Sequence, residues 1–235
     1  MSQDYQAAWL LHSRPYRETS ALAWFFSLEE GRVDAVVRGV RSRKSRYRAL
    51  LQPFTPLQVR WQGEHSLKNL QGLEASSAPL SLTGEALFCG LYVNELLSRL
   101  LLPGHACPGV FREYSLVLNL LTSTDQLEPS LRRFELCLLD FLGAGPSWST
   151  TAGEALTADC YYVWRREQGW QACQPGQPQA GIYSGVSLLA MAADNWQAAT
   201  TRQAGKQLTR QFLKPLLGTK PLHSRQLFQQ FRRRS

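Results

Sequence analysis

Five short apolar runs crowd into the first eighty residues, at 6–12, 21–28, 33–38, 55–61 and 67–74, and then the spacing changes. The runs are rich in aromatic and branched residues. The breaks between them carry turn chemistry: Arg14-Pro15, Glu30-Gly31, Gly39, Pro53, Pro56 and Gly63. Across 33–40 the apolar residues partly alternate, as a half-buried strand requires. Five strands in so little chain predict a small closed barrel, because closure removes exposed strand edges.

From about residue 80 the apolar period is helical. Thr83 is placed as an N-cap, Glu85 falls in the first turn, and Leu82 can staple to Leu87. Apolar residues recur at 87, 88, 91, 92, 96, 97 and 100 until Pro103-Gly104 stops the helix. A second helix carries Val110, Phe111, Tyr114, Val117, Leu118 and Leu121. A third opens at Pro129 and places Leu131, Phe134, Leu138 and Phe141 on one face. Residues 144–185, rich in Gly, Pro, Ser, Thr and Gln, read as a loop or a small irregular β insertion. Helical spacing returns at 186–193 and 202–217, and a last short helix carries Leu227, Phe228 and Phe231. The expected fold is α+β, with a β domain over 1–79 and a mostly helical domain over 80–235. Within the latter, 144–185 is the irregular insertion and 186–231 holds the C-terminal helices.

Between the third and fourth strand runs lies a dense positive segment. Arg38, Arg41, Arg43, Lys44, Arg46 and Arg48 fall within eleven residues with no acid among them. Such a run repels itself, and a polyanion would relieve that repulsion and release counterions. A solvated, disordered loop accounts for this run equally well. The net charge of +8 is uneven. Residues 1–80 hold 11 basic and 7 acidic side chains, 81–200 hold 6 and 11, and 201–235 hold 9 and none. Basic ends around a more acidic middle suggest a polyanion footprint built from two regions. Basic ends that only oppose aggregation are the alternative.

Several chemistries find no support. No phosphate-cradling Gly-x-x-x-x-Gly-Lys-Ser/Thr occurs, and Gly181-Ile-Tyr-Ser-Gly185 has the wrong spacing for a nucleophile elbow. His12, His65, His105 and His223 are scattered singly. Glu85, Glu95, Glu113 and Glu135 read as cap and surface-pair residues on helices. The five cysteines (Cys89, Cys107, Cys137, Cys160 and Cys173) show no paired spacing, which argues for reduced thiols. Cys89 and Cys137 read as small core residues. The longest apolar stretch, 87–102, is broken by Asn94, Glu95 and Arg99, so no membrane span is expected. The opening Met-Ser-Gln-Asp-Tyr lacks the basic and apolar blocks of an export signal, and a cytoplasmic location is expected.

Ordered blocks along the chain resemble the bacterial RecO family of recombination mediators. They are Leu11-His-Ser-Arg-Pro-Tyr-Arg-Glu-Thr-Ser20, Gly39-Val-Arg-Ser-Arg-Lys44 and Gln52-Pro-Phe-Thr-Pro56 in the first part. Leu91-Tyr-Val-Asn-Glu-Leu-Leu-Ser-Arg99, Leu131-Arg-Arg-Phe-Glu-Leu136, Leu213-Lys-Pro-Leu-Leu-Gly218 and Pro221-Leu-His-Ser-Arg225 follow. The resemblance implies an N-terminal OB-fold, a helical C-terminal domain and a non-enzymatic role in DNA repair by homologous recombination. It implies binding of single- and double-stranded DNA and annealing of strands coated by single-stranded DNA-binding protein (SSB). It also implies cooperation with RecR in loading RecA, no cofactor, and a nucleoid-associated location. Some members carry a four-cysteine zinc site. Here only Cys160 and Cys173 stand in the corresponding stretch, too few for zinc. A zinc-free insertion held by Tyr161, Tyr162, Trp164 and Trp170 is expected instead.

Candidate DNA contacts follow. Arg14 and Arg17 extend the 38–48 run, and Lys206, Arg210, Lys214, Lys220 and Arg225 form a second basic set. Tyr47 and Trp61 are candidate base-stacking platforms, while Trp9, Trp24, Phe25 and Phe26 read as barrel core. The acidic SSB tail, ending in an apolar residue with a free carboxylate, needs an apolar pocket rimmed by Arg. Arg132 and Arg133 are nominated for it. A helix-surface pair balanced by Glu128 and Glu135 explains them as well.

Overall fold

The computed structural model describes residues 4–63, 66–174 and 181–232. His65 and residues 175–180 of the insertion lie outside them. Five strands come first: β1 (Gln6–Tyr16), β2 (Ser20–Ser27), β3 (Gly31–Val37), β4 (Pro56–Gln62) and β5 (Leu67–Ala75). They close in the order β1-β2-β3-β5-β4, with β3 and β5 parallel and the other neighbours antiparallel. This is an OB-type barrel, and helices follow it, so the architecture is α+β as expected.

Strict alternation holds where one face meets water. In β3, Gly31, Val33, Ala35 and Val37 are buried while Arg32, Asp34 and Val36 are less so. Gly31 opens that strand at φ +68°, and a Cβ there would lie 1.9 Å from the His105 carbonyl oxygen. Only glycine fits. In β1, by contrast, Ala8, Trp9, Leu10 and Leu11 are all buried. Ala8 and Leu10 join Phe25, Val33, Ala35, Leu57 and Val59 inside the barrel.

The other face of β1 is covered by helices α1 (Gly84–Leu100) and α2 (Pro108–Leu120). Trp9 Nε1 donates to Ser115 Oγ at 3.1 Å, and Phe26 packs on Phe111 and Tyr114 at centroid distances of 5.3 and 5.7 Å. Trp9 and Phe26 are therefore core, but core between barrel and helices. The ladder slips between Leu10 and His12. There the buried Asn94 of α1 donates Nδ2 to the carbonyls of Leu10 (3.4 Å) and Leu11 (3.1 Å). Its Oδ1 accepts from the Tyr114 hydroxyl at 2.6 Å, so the polar groups freed by the irregularity are satisfied.

The last helix, α6 (His223–Arg232), is held against α1 by a charged clamp and an aromatic cluster. Glu95 accepts from the backbone N–H of His223 and Ser224, each at 2.9 Å, and from Ser224 Oγ at 2.7 Å. These are donors that a helix start leaves without partners, at its positive end. Arg99 pairs with Glu95 at 2.9 Å and donates to the carbonyls of Lys220 and Pro221. Phe88 meets Phe228 and Phe231 at 5.5 and 5.1 Å. Burial alone would push the Glu95 carboxyl up. The hydrogen bonds from Ser224 and His223, then Arg99, outweigh it and hold the group below its ordinary value. Its stabilising contribution is therefore present above the unfolded value near ~4.3 and is lost as pH falls through the lower folded value. Glu95→Gln should lower stability at pH 7 by about 1.5–3 kcal/mol, the range for hydrogen bonds to a charged group. In thermal melts across pH, that deficit should shrink towards zero below about pH 4. A deficit independent of pH would contradict the carboxylate's role.

The barrel, α1, α2 and α6 belong to one compact unit, up to Leu127 and from Thr219 onward. The change of period near residue 80 marks a change of secondary structure. The compact unit runs past it because the barrel's outer apolar face needs helices to cover it.

Glu128–Gly218 form the second unit. It contains most of α3 (Leu127–Phe141), strands β6 (Tyr161–Arg165), β7 (Gly169–Cys173) and β8 (Ile182–Ser184), and helices α4 (Gly185–Ala192) and α5 (Ala199–Leu217). The insertion is more regular than expected. Its strands pair in the order β7-β6-β8, all antiparallel. Trp170, 1% exposed, packs edge-on to Trp164 and Tyr183 at 5.1 and 5.6 Å, and Trp164 reaches Phe212 of α5 at 4.9 Å. Tyr162 is buried, whereas Tyr161 is exposed and adds little to this packing. Cys160 is exposed and Cys173 half-buried, both as free thiols. No three metal-ligating side chains cluster among the described residues, so Cys160 and Cys173 do not fit a zinc site. Cys89 and Cys137, expected in the core, are only half-buried, whereas Cys107, not singled out in the sequence, is buried.

Candidate nucleic-acid interface

The basic run occupies the connection from β3 to β4, a chain of turns with hydrophobic anchors. Val40 and Leu51 are buried members of the barrel core, and Tyr47 and Leu50 pack against it. Backbone N–H groups of Leu50 and Leu51 both donate to the Tyr47 carbonyl, closing a turn at the loop's tip. The loop is thus pinned at both ends and in the middle. Its cations remain at the surface: Arg38, Arg41, Arg43, Lys44, Arg46 and Arg48 are all exposed.

None of the six pairs with a carboxylate among the described residues. Arg38 donates to Asn69 Oδ1 at 3.1 Å and Arg41 to the Arg17 carbonyl at 3.2 Å. Arg46 donates to the Tyr47 hydroxyl at 2.9 Å and lies 4.9 Å from its ring centroid. Arg43, Lys44 and Arg48 make no such contact among the described residues. Holding these charges together without counterions is unfavourable, and an anion would offset that cost.

The β1–β2 turn adds to this surface. Arg17 sits at φ +51°, a conformation that Arg rarely adopts, and both Arg14 and Arg17 are exposed. Arg14, Arg41 and Arg48 line one shallow groove over Pro15, Val40 and Leu51. Arg38 lines a second, beside Gln62, Asn69 and Gln71. The residues nominated from β1 and from the loop are therefore brought together.

Trp61 does not join them. It is 8% exposed, packs on Phe25 at 6.1 Å inside the barrel, and donates Nε1 to Glu30 at 2.7 Å. The alternation of β4 sends Leu57, Val59 and Trp61 inward, which removes Trp61 as a stacking platform. Tyr47 is half-buried and serves first as an anchor. Trp24, read as core, is instead only partly buried. It stacks against His12 on the outer face of the barrel, a pair that hydrophobicity alone did not single out.

The C-terminal basic set divides between the two units. Lys206, Arg210 and Lys214 lie on α5 in the second, while Lys220 and Arg225 lie in the first. Lys206 pairs with Glu128 at 2.9 Å, holding that carboxyl below its usual value. Lys214, Lys220 and Arg225 are exposed.

Arg132 and Arg133, adjacent on α3, part company. Arg132 is 6% exposed, pairs with the buried Glu135 at 2.8 Å and donates to Thr209 Oγ1 at 3.0 Å. It is an interior group and cannot rim a pocket, and Glu135 is no surface residue either. Arg133 is exposed, meets Asp194 at 3.3 Å and lines a pocket with Leu136, Trp148, Met191 and Trp196.

Comparison with known proteins agrees with this layout. The family model described as Recombination protein O N terminal matches residues 1–78, and that described as Recombination protein O C terminal matches 81–226. DNA repair protein RecO of Proteus mirabilis is 42% identical over 232 residues, covering 97% of this chain and 94% of that protein. DNA repair protein RecO of Pseudoalteromonas atlantica is 43% identical, covering 98% and 96%. That of Pseudomonas paraeruginosa is 44% identical over 224 residues, covering 95% and 94%. With an OB-type barrel, a helical C-terminal part and full-length likeness of this order, the chain belongs to the RecO family of DNA repair proteins.

Proposed function

We propose that this protein is a non-enzymatic mediator of homologous recombination. It binds single- and double-stranded DNA through the anchored loop of residues 38–48 with Arg14 and Arg17. It anneals complementary strands coated with SSB, and with RecR it promotes RecA loading. The observation that carries this reading is the set of exposed, carboxylate-free cations fixed on the barrel by Val40, Tyr47 and Leu51. Arg-rich surfaces of this kind contact phosphates bidentately without reading base sequence, which suits annealing of any complementary pair. Screening by fixed cations lets two like-charged strands approach. Lys214, Lys220 and Arg225 are further candidates for the backbone. No helix among the described residues is long and apolar enough to cross a membrane, and action in the cytoplasm at the nucleoid fits this role.

For the SSB tail, the pocket beside Arg133 suits the chemistry. Leu136, Trp148, Met191 and Trp196 offer apolar surface for a terminal hydrophobic side chain, and Arg133 can take the carboxylate in place of Asp194. A second reading, an adaptor acting mainly through SSB and RecR, draws on this same pocket.

Annealing of labelled strands without nucleotide separates the two. The mediator reading expects acceleration on naked strands and on SSB-coated strands. Coated-strand acceleration should be lost with tail-less SSB or with Arg133→Glu. No acceleration on naked strands would favour the adaptor.

A further inference from the structure

The slipped register between Leu10 and His12 sets His12 of β1 directly across from Trp24 of β2. Their rings stack with centroids 4.9 Å apart and planes 30° apart. The Arg14 guanidinium carbon lies 5.6 Å from the Trp24 ring centroid. Trp9 and Phe26, on the same two strands, are buried under α2, but His12 is exposed and Trp24 partly so. Arg14 belongs both to this ring pair and to the groove with Arg41 and Arg48, so aromatic and cationic surfaces are continuous.

Neighbouring charges do not oppose an anion here. Asp34, across from Trp24 on β3, is held by Arg32 through two hydrogen bonds of 3.0 and 2.9 Å. Glu95, near His12, is occupied by the start of α6. Burial and the Arg14 charge lower the His12 imidazole below its usual value, so near neutral pH the ring is uncharged and offers a π face.

We infer that His12 and Trp24 form a stacking platform for unpaired bases of single-stranded DNA whose phosphates lie along Arg14, Arg41 and Arg48. This rests on the reading of the basic loop as a polyanion contact and adds what that loop cannot supply. Phosphate contacts treat strand and duplex alike, whereas base faces are open only in a single strand. A platform of this kind favours unpaired over paired DNA.

The test measures affinity for three ligands of about fifteen nucleotides, a length within the site sizes of OB-folds: oligothymidine, an abasic strand of equal charge, and a duplex. Wild type should bind oligothymidine roughly 5- to 150-fold more tightly than the abasic strand, the range for one stacked base. Trp24→Leu should abolish that gap while leaving abasic and duplex affinities, and the salt dependence, as they were. His12→Ala should narrow the gap from the opposite strand, and Trp24→Phe should restore part of it. A Trp24→Leu protein that keeps the wild-type gap overturns the inference. So does one that loses all three ligands equally, since that marks a structural role. Wild type that binds none of the three overturns the DNA-binding reading itself, and the platform with it.

Discussion

Replacing Arg41, Arg43 and Lys44 together with Gln should weaken binding to single-stranded DNA about a hundredfold near 0.1 M salt. On a single strand each lost phosphate contact flattens the log–log salt slope by about 0.7, so three contacts change it by about 2. If the two proteins converge near 1 M salt, a slope difference of about 2 over one decade gives that hundredfold loss. The fold should survive, because the Arg43 and Lys44 side chains make no hydrogen bond or ion pair among the described residues and the Arg41 side chain gives only one, to the Arg17 carbonyl. Val40, Tyr47 and Leu51, which anchor the loop, remain. Fluorescence anisotropy across a salt series checks both the affinity and the slope. Unchanged affinity with an unchanged slope would remove the loop as a contact.

The largest loss of stability is expected at Arg132, in the interior of the second unit. Arg132→Met removes the cation that lies 2.8 Å from the Glu135 carboxylate, itself 1% exposed. Removing one partner of a buried ion pair costs about 3–5 kcal/mol, because the remaining charge keeps its desolvation penalty. The double variant Arg132→Met/Glu135→Met should recover most of that, since apolar replacement of a whole buried pair is often neutral. Urea midpoints of the four proteins in this cycle decide it. A single variant as stable as wild type would return Arg132 to the surface. Arg133→Met, at an exposed site, should shift the midpoint little.

How far the sequence carried the fold depends on how many faces of each strand are covered. In β3 only one face is buried, so alternation is legible, and the expected run at 33–38 overlaps most of the strand at Gly31–Val37. In β1 helices cover the outer face as well, alternation vanishes, and inward Leu10 could not be told from outward Trp9. Two tryptophans on alternating strands face the opposite way from the expectation, because alternation alone does not say which face is inward. Trp61 was read as a platform and is interior, while Trp24 was read as interior and stacks on the outside. Both sit on strands, and only closure of the barrel decides which face of each strand is interior.

The basic loop was legible as charge but not as structure. Its pins are Val40, Tyr47 and Leu51, spaced without a period, and nothing local distinguishes a pinned turn from a disordered one. Adjacent Arg132 and Arg133 look alike in sequence. The helical rotation of about 100° between neighbours sends one into the interior and the other to the surface. Glu95, grouped with three other helical glutamates as caps and surface pairs, does both, yet the helix that it caps begins 128 positions later, a distance no local pattern reports.

The most direct test of the central claim is the annealing rate of naked complementary oligonucleotides at low ionic strength, with wild type and the Arg41/Arg43/Lys44→Gln variant side by side. Acceleration by wild type that falls away with salt and is largely lost in the variant is the predicted result. A folded wild type that leaves the hybridisation rate where it is without protein would contradict the account.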